Sequence, residues 1–130
     1  MASVFSRIVT GEIPAYKIAE NDKFLAFLDV NPLAKGHTLV IPKVEVDYIF
    51  DMEDPDYLEL MAFAKIVAIA LRKSVPCIRI GVAVIGLEVP HTHIHLIPLN
   101  TMSDINFSLP KLTLPVEVMQ ETASKIKAAL

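Results

Sequence analysis

The chain has 130 residues, of which 53% are hydrophobic and 21% are charged, and its mean hydropathy is +0.48. This length is too short for two ordinary domains, so we expect residues 1–130 to form a single domain with one core. The chain has twelve Lys and Arg residues and fifteen Asp and Glu residues, which gives a net charge of −3. A general nucleic-acid surface is therefore not expected, because such surfaces carry clustered positive charge.

The cysteine content and the N-terminal sequence both favour a reducing compartment. Cys77 has no second cysteine to pair with, and we expect it to be a small buried hydrophobe. Residues 1–14 lack a basic stretch followed by a long apolar run, so no secretory signal is predicted. The expected location is the cytoplasm, with neither a membrane nor a nucleic acid as partner.

The first part of the chain predicts a short helix and three strands. Ser3 can cap a helix from Val4 to Thr10, which Gly11 stops. A turn at Asn21-Asp22 joins the first two strands in a hairpin. The predicted strands are Tyr16–Glu20, Lys23–Leu28 and Thr38–Ile41, with a loop over Asp29–Gly36 and with Pro42 closing the third strand.

The densest apolar segment, Leu58 to Leu71, has twelve apolar residues in fourteen. It is shorter than the roughly 20 residues that a membrane span requires, so we predict a helix buried on more than one face. An Asp54 N-cap followed by Pro55 opens this helix, which should end near Ser74. A helix this apolar in a small domain suggests that one of its faces contacts another subunit, so we predict a homodimer. The alternative is that a thick central core covers the helix.

The remaining segments predict two more strands, over Arg79–Ile85 and His91–Ile97, and a final helix that starts at Thr113 or Leu114 before Pro115. Neighbouring strands are mostly joined by short connections. The predicted class is therefore α+β: an antiparallel five-stranded sheet with one long helix and a C-terminal helix. The apolar stripe of the last helix comprises Val116, Met119, Ala123, Ile126 and Leu130.

Three of the four histidines lie within five residues, at His91, His93 and His95, between Pro90 and Pro98. The intervening residues alternate with period two, so a strand would direct all three imidazoles to one side and the apolar side chains to the core. A solvated strand face is the plainest interpretation, although sheet propensity gives no reason for three histidines.

A metal site is a second interpretation. The first and third positions of a straight strand are roughly 13 Å apart, at ~3.3 Å per residue, so the three rings cannot converge on one ion unless the strand bends sharply. A two-histidine site completed by His37, Asp29 or Glu88 remains open.

Nucleophilic catalysis at phosphorus is the third interpretation. A neutral imidazole is a competent nucleophile near pH 7, and flanking imidazoles disfavour protonation of the middle ring. His93 would attack, while His91 and His95 would donate hydrogen bonds to phosphate oxygens and to the leaving group.

The segment His91-Thr92-His93-Ile94-His95-Leu96-Ile97 resembles the signature of the histidine triad (HIT) family of nucleotide hydrolases and transferases, with Thr92 as its least typical position. The resemblance extends over roughly residues 3–100. Further matching segments are Phe5-Ser6-Arg7-Ile8, Gly11-Glu12-Ile13-Pro14, Phe27-Leu28-Asp29-Val30-Asn31-Pro32, Gly36 to Lys43, and Gly86-Leu87-Glu88-Val89-Pro90.

The resemblance implies a purine nucleoside monophosphate site. The apolar residues expected to enclose the base are Phe5, Ile8, Phe27, Leu28 and Val30, although ordinary core is the plain alternative for each. Asp29 would bind the ribose hydroxyls or would only form a turn. His37 would sit beside the triad, and Glu88 would lie near the phosphate. The implied reaction passes through a nucleotidyl-histidine on His93 and requires no metal or other cofactor.

Departures from the family pattern qualify this expectation. Leu87 stands where a glutamine amide is expected to contact the phosphate or the leaving group, and the loop before the triad looks shortened. A lost transition-state donor slows an enzyme by about 10²-fold or more. A weakly active or inactive dimeric module that binds a nucleotide or a partner is therefore the alternative function. The zinc-binding cysteines of some family members are absent, so no structural zinc is implied.

Overall fold

A computed structural model describes residues 2–130, in which five strands form one sheet and three α-helices cover it. The strands occur in the order β1-β2-β3-β5-β4, and every neighbouring pair is antiparallel. The predicted α+β class is therefore confirmed. In chain order the elements are α1 (Val4–Val9), β1 (Lys17–Glu20), β2 (Phe24–Leu28), β3 (Thr38–Pro42), α2 (Asp54–Ser74), β4 (Arg79–Ala83), β5 (Ile94–Leu99) and α3 (Val116–Ala128), with short 3₁₀ turns at Ile49–Asp51 and Met102–Ile105.

The two faces of the sheet carry separate apolar clusters. Helices α2 and α3 pack on the face that includes Leu28, Val40 and Ile94. Because side chains alternate along a strand, the neighbours of these residues point to the opposite face, which α1 covers. The cluster beneath α1 consists of Phe5, Ile8, Leu25, Phe27, Leu39 and Ile41.

The histidine segment begins its strand later than predicted, at Ile94 rather than His91. The backbone N–H of Thr92 donates to the carbonyl of Val46 at 2.6 Å, and its hydroxyl donates to the same carbonyl at 2.7 Å. These bonds tie the first half of the segment to the loop after β3 instead of to a neighbouring strand. The periodicity was therefore informative about side-chain direction but not about where strand pairing starts.

The ends of β4 and β5 differ from the prediction as well. Strand β5 continues through Pro98, which lies opposite Ile80 of β4; β3 pairs only with the beginning of β5, so a missing N–H is tolerated on the unpaired side. Strand β4 ends at Ala83 rather than Ile85, because the chain then enters a turn with Gly86 at φ +74°.

Helix α2 ends at Ser74 as predicted, but its N-cap is Glu53 rather than Asp54. Asp54 already belongs to the first turn, where its negative charge is favourable at the helix N-terminus. In the single chain the helix is buried on one side only, so the alternative of a thick central core is wrong, and burial of the other side by a second subunit stays a prediction. Its buried residues are Leu60, Ala64, Val67, Ala70 and Leu71, and its exposed apolar residues include Leu58, Met61, Ile66 and Ile69.

Helix α3 buries the middle of its predicted stripe and exposes both ends. Met119, Ala123 and Ile126 are buried, whereas Val116 at the first position and Leu130 beyond the last turn are exposed. Cys77, in the connection between α2 and β4, is only partly buried instead of fully buried. Within residues 2–130, no helix combines the length and the apolar character needed to cross a bilayer.

Candidate active site

All four histidines lie on the sheet face covered by α1. His95 is on β5 opposite Leu39 of β3, which belongs to the apolar cluster of that face. The ring centroids of His93 and His95 are 4.9 Å apart, and those of His37 and His95 are 5.2 Å apart. The structure therefore brings His37, which precedes β3, into the same cluster as the triad.

The hydrogen bonds of His37 determine the tautomers of two rings. The backbone N–H of Leu33 donates to His37 Nδ1 at 3.0 Å, so this nitrogen is an acceptor and a neutral ring carries its proton on Nε2. His37 Nε2 lies 2.9 Å from His95 Nδ1, and it must donate to it. His95 consequently keeps its own proton on Nε2, the nitrogen that does not face His37.

Burial keeps both of these rings neutral at pH 7. The pKa of His37 falls from 6.5 to about 3 because the ring is buried and because His95 lies beside it. The pKa of His95 falls to about 4, mainly through burial and also through the nearby His93. His95 is therefore a neutral hydrogen-bond donor at pH 7.

One ring nitrogen of His93 is hydrogen-bonded to the backbone, and the other has no partner within residues 2–130. Its Nδ1 lies 2.7 Å from the backbone carbonyl of His91, which can only accept, so Nδ1 carries the proton. Its Nε2 has no hydrogen-bond partner within residues 2–130 and keeps its lone pair. The side chain is 8% exposed. An imidazole with one nitrogen bonded in this way and the other free can act as a nucleophile.

His91 occupies a different position from the other two triad members. It is 0% exposed, its Nε2 lies 2.7 Å from the carbonyl of Pro42, and its Nδ1 lies 2.8 Å from Ser3 Oγ. Burial lowers its pKa, partly offset by the Pro42 carbonyl and by Glu45. The expected contact of His91 with phosphoryl oxygens does not fit this arrangement, because both ring nitrogens already have partners inside the protein.

The residues expected to enclose a base divide between the two faces of the sheet. The rings of Phe5 and His93 lie 4.9 Å apart, and those of Phe5 and Phe27 lie 5.7 Å apart. Ile8 belongs to the same cluster. Leu28 does not: it packs under α2 and α3, because consecutive strand residues point to opposite faces. It therefore cannot line a pocket shared with Phe27.

Three further expected residues lie beyond the end of β2 or in the loop before the triad. Asp29 accepts the backbone N–H of Asn31 at 2.9 Å, so the turn-forming role is present. Burial raises the pKa of Asp29, and the Asn31 N–H opposes that shift. Val30 is 59% exposed, and Glu88 is exposed in the loop that leads to the triad.

One group of side chains in the site offers metal ligands. Single donor atoms of Asp29, His37 and His95 all lie within 4.8 Å of one another, and Asp29 Oδ2 is 3.7 Å from His37 Nε2. The two imidazole donors already share a hydrogen bond, so an ion would have to displace the proton between them. Carboxylate and imidazole suit several divalent metals, so the set offers no selectivity.

Several residues of the site were not predicted from the sequence. The ring of Phe107 lies 4.8 Å from that of His95, and Lys111 Nζ lies 5.8 Å from the centre of the Phe107 ring. Ser6 and Glu45 join Ser3 beside His91. No local pattern marks these residues, because the tertiary fold alone brings them to the histidines.

A cavity of about 410 Å³ opens onto His93, a size within the range of small-molecule sites. Its walls are the 3₁₀ turn after β3, the start of α2 and the loop between β4 and β5. Leu87 is part of that loop and is 88% exposed. The lining residues are Asp47, Tyr48, Ile49, Phe50, Tyr57, Met61, Val84, Ile85, Gly86, Leu87, Thr92 and His93.

Comparison with known proteins gives concordant matches. Residues 10–102 match the model of the HIT domain. A HIT-like protein of Borreliella burgdorferi is 37% identical over 131 residues, covering 95% of this chain and 94% of its own length. An adenosine 5′-monophosphoramidase of Schizosaccharomyces pombe is 32% identical over 133 residues, covering 98% and 100%. The crystal structure of a HIT-like protein from Bartonella henselae, described as involved in cell-cycle regulation, superimposes with a TM-score of 0.86 at 30% identity, covering 98% of this chain and 96% of its own.

Proposed function

The chain belongs to the histidine triad family, and from that premise we propose that it cleaves the α-phosphate bond of purine nucleoside phosphoramidates or related nucleotide conjugates. A nucleotide hydrolase is supported at the family level by the relative named as an adenosine 5′-monophosphoramidase. The leaving group, the preferred base and the acceptor are the finer parts of the proposal.

The single observation that carries the proposal is the state of His93. Its Nδ1–H is bonded to the His91 carbonyl at 2.7 Å, and its Nε2 lone pair is directed away from that bond, because the two nitrogens lie on opposite sides of the ring. A tautomer fixed in this way needs no proton transfer before it attacks. The cavity beside it has room for the leaving group of a nucleotide conjugate; the residues proposed to contact the base do not line it.

In the first step, His93 Nε2 forms a bond to the α-phosphorus while the bond from phosphorus to the amine breaks. The departing amine takes a proton from water. His95 carries hydrogen on Nε2 and donates a hydrogen bond to a phosphoryl oxygen. It stays neutral in this step, because its Nδ1 accepts the His37 Nε2–H and has no place for a second proton.

In the second step, water forms the new bond to phosphorus and the bond to His93 Nε2 breaks. The water proton passes to solvent, and the nucleoside monophosphate leaves with His93 neutral again. His37, bonded to His95 Nδ1 at 2.9 Å, keeps the His95 ring oriented through both steps. These assignments make His93 the nucleophile and His95 the hydrogen-bond donor to the phosphoryl group, with His37 as a positioning residue.

Leu87 bears on the rate of this reaction. It lines the cavity next to His93 and has no hydrogen-bonding group for a phosphoryl oxygen or a leaving group. Loss of one such donor slows catalysis by about 10²-fold or more. We therefore propose a slow hydrolase; a nucleotide-binding module without turnover is the alternative that the experiment must separate.

We propose that Phe5, Ile8 and Phe27 contact the base and that Asp29 binds the ribose, and we propose a homodimer and a cytoplasmic location. Val30, in the loop after β2, and Glu88, in the loop between β4 and β5, have exposed side chains. A nucleotide could contact either residue only at the surface of its loop.

Incubation with an adenosine phosphoramidate tests the proposal. We expect release of AMP by the wild-type protein and none by His93→Ala, whereas His93→Ala should still bind AMP because its apolar cluster is intact. A matched control is Glu117→Ala, at an exposed position of α3. AMP binding without turnover in the wild-type protein would establish the binding module instead.

A further inference from the structure

The N-terminus of α1 is tied to the triad by a chain of hydrogen bonds. Ser3 Oγ lies 2.8 Å from His91 Nδ1, and Ser6 Oγ donates to Glu45 Oε1 at 2.8 Å. The same carboxylate oxygen accepts the backbone N–H of Ser3 at 2.7 Å. We call Ser3, Ser6 and Glu45 the serine–glutamate clamp. It joins three parts of the chain that are distant in sequence.

The chemistry of each partner gives every bond in the clamp a direction. His91 Nε2 faces the Pro42 carbonyl at 2.7 Å and must donate to it, so His91 Nδ1 is the acceptor in the neutral ring. Ser3 therefore donates its hydroxyl proton to His91. Its oxygen in turn accepts the backbone N–H of Ser6 at 3.0 Å, as the N-cap of α1.

Glu45 fixes the orientation of the two serines. A carboxylate can only accept, so the Ser3 N–H and the Ser6 hydroxyl both point toward it. These donors hold the pKa of Glu45 down, to about 2, and the group therefore stays ionised at pH 7. Bonds to an ionised acceptor are stronger than bonds between neutral groups.

The clamp binds His91, which lies two residues before the proposed nucleophile, His93. His91 is fully buried, and its backbone carbonyl is the group that accepts the Nδ1–H of His93 at 2.7 Å. We propose that Ser3, Ser6 and Glu45 are positioning residues that hold the His91 ring, and with it the His91 carbonyl, where it keeps His93 protonated on Nδ1. The catalytic part of this inference rests on the proposed function; the tautomer of His93 does not.

A simpler role as a helix cap makes a different prediction. Capping requires only an N-cap residue that α1 tolerates, and glycine there costs a few tenths of a kcal/mol relative to serine. Holding His91 requires a hydroxyl that can donate. Ser3→Gly therefore removes the bond to His91 with little loss of capping, and Ser3→Thr keeps both functions.

The experiment measures the ¹⁵N chemical shifts of the histidine ring nitrogens together with kcat and KM. In the wild-type protein and in Ser3→Thr, we expect His93 to be protonated on Nδ1 alone. In Ser3→Gly and Glu45→Ala, we expect a mixture of tautomers and a fall in kcat of about tenfold or more, with KM changed by less than about twofold. Glu45→Gln, whose amide oxygen can still accept, should recover most of the loss.

A His93 tautomer that is unchanged in both Ser3→Gly and Glu45→Ala overturns the positioning role, whatever happens to the rate. Absence of turnover in the wild-type protein would refute the proposed function, yet the ring shifts would still decide whether the clamp sets the His93 tautomer. Glu117→Ala serves as the control for removal of an exposed carboxylate, and it should change neither readout.

Discussion

At the scale of single residues, the site depends on imidazoles that burial keeps neutral. His37 is 1% exposed, and the only hydrogen-bonded neighbours of its ring within residues 2–130 are the Leu33 N–H and the His95 ring. Protonation of His37 on Nδ1 would break the first bond and place a charge in a buried site. The His37 ring is therefore kept neutral by the folded state, and its tendency to take up a proton links the stability of the protein to pH.

The pH dependence of stability follows from this link. The folded-state pKa values of about 3 for His37 and about 4 for His95 lie below 6.5, so the unfolded chain takes up protons first as the pH falls. Stability is full above pH 6.5. Between pH 6.5 and 4.5 we expect the free energy of unfolding to decrease by up to about 1.4 kcal/mol per pH unit for each ring. Asp29, whose pKa is raised, acts in the opposite direction.

Urea denaturation across that pH range measures the effect. His37→Gln removes one ionisable ring and should make the dependence shallower than in the wild-type protein, even though the variant is less stable at pH 7. A free energy of unfolding that is flat or that increases from pH 6.5 to 4.5 would contradict the assigned neutral state of these histidines.

At the scale of elements, the segment from Thr101 to Pro115 covers one side of the site. It has no regular structure apart from one 3₁₀ turn, and the backbone N–H of Leu112 donates to the Pro32 carbonyl at 2.8 Å. This bond anchors the segment to the loop before β3, and Phe107 lies against His95 and His37. The segment therefore contributes to the burial that lowers the pKa of His95.

Removal of the Phe107 ring tests the contribution of this segment. In Phe107→Ala we expect the pKa of His95 to increase from about 4 toward 6.5, because water gains access to the ring. NMR titration of the histidine signals measures this change. Leu109→Ala, an exposed position in the same segment, is the matched control and should leave the pKa unchanged. An equally low pKa in Phe107→Ala would exclude a shielding role.

The same elements show what the sequence could and could not predict. The alternation from His91 to Ile97 predicted the common direction of the imidazoles, because side-chain period is a local property. It did not predict that pairing begins only at Ile94, since the Thr92 bonds to Val46 form after the chain has folded. Phe107 and Glu45 were missed for the same reason: nothing near them in sequence indicates a contact with a histidine.

At the scale of the whole molecule, an apolar surface remains uncovered. Leu58, Ile66 and Ile69 are exposed on α2, and Val82 is exposed on β4, which is the edge strand of the sheet. Exposed apolar surface beside an unpaired strand edge is typical of an interface between subunits. This surface supports the proposed homodimer.

Light scattering tests the association. We expect a mass about twice the 14.4 kDa of the chain at micromolar concentration, and a monomer for Ile66→Asp, because a charge is costly in an apolar interface. Val116→Asp, at an exposed position of α3, should remain dimeric. A wild-type mass near 14 kDa, or an Ile66→Asp variant that stays dimeric, would contradict an interface through this face of α2.

We propose that His93 Nε2 becomes bonded to the α-phosphorus of a nucleotide, and mass spectrometry measures this bond directly. The wild-type protein is mixed with an adenosine phosphoramidate, quenched rapidly and digested without acid. We expect an adenylyl group on the peptide that contains residues 91–97, with fragmentation assigning it to His93. An adduct on another residue, or release of AMP by His93→Ala at the wild-type rate, would contradict it.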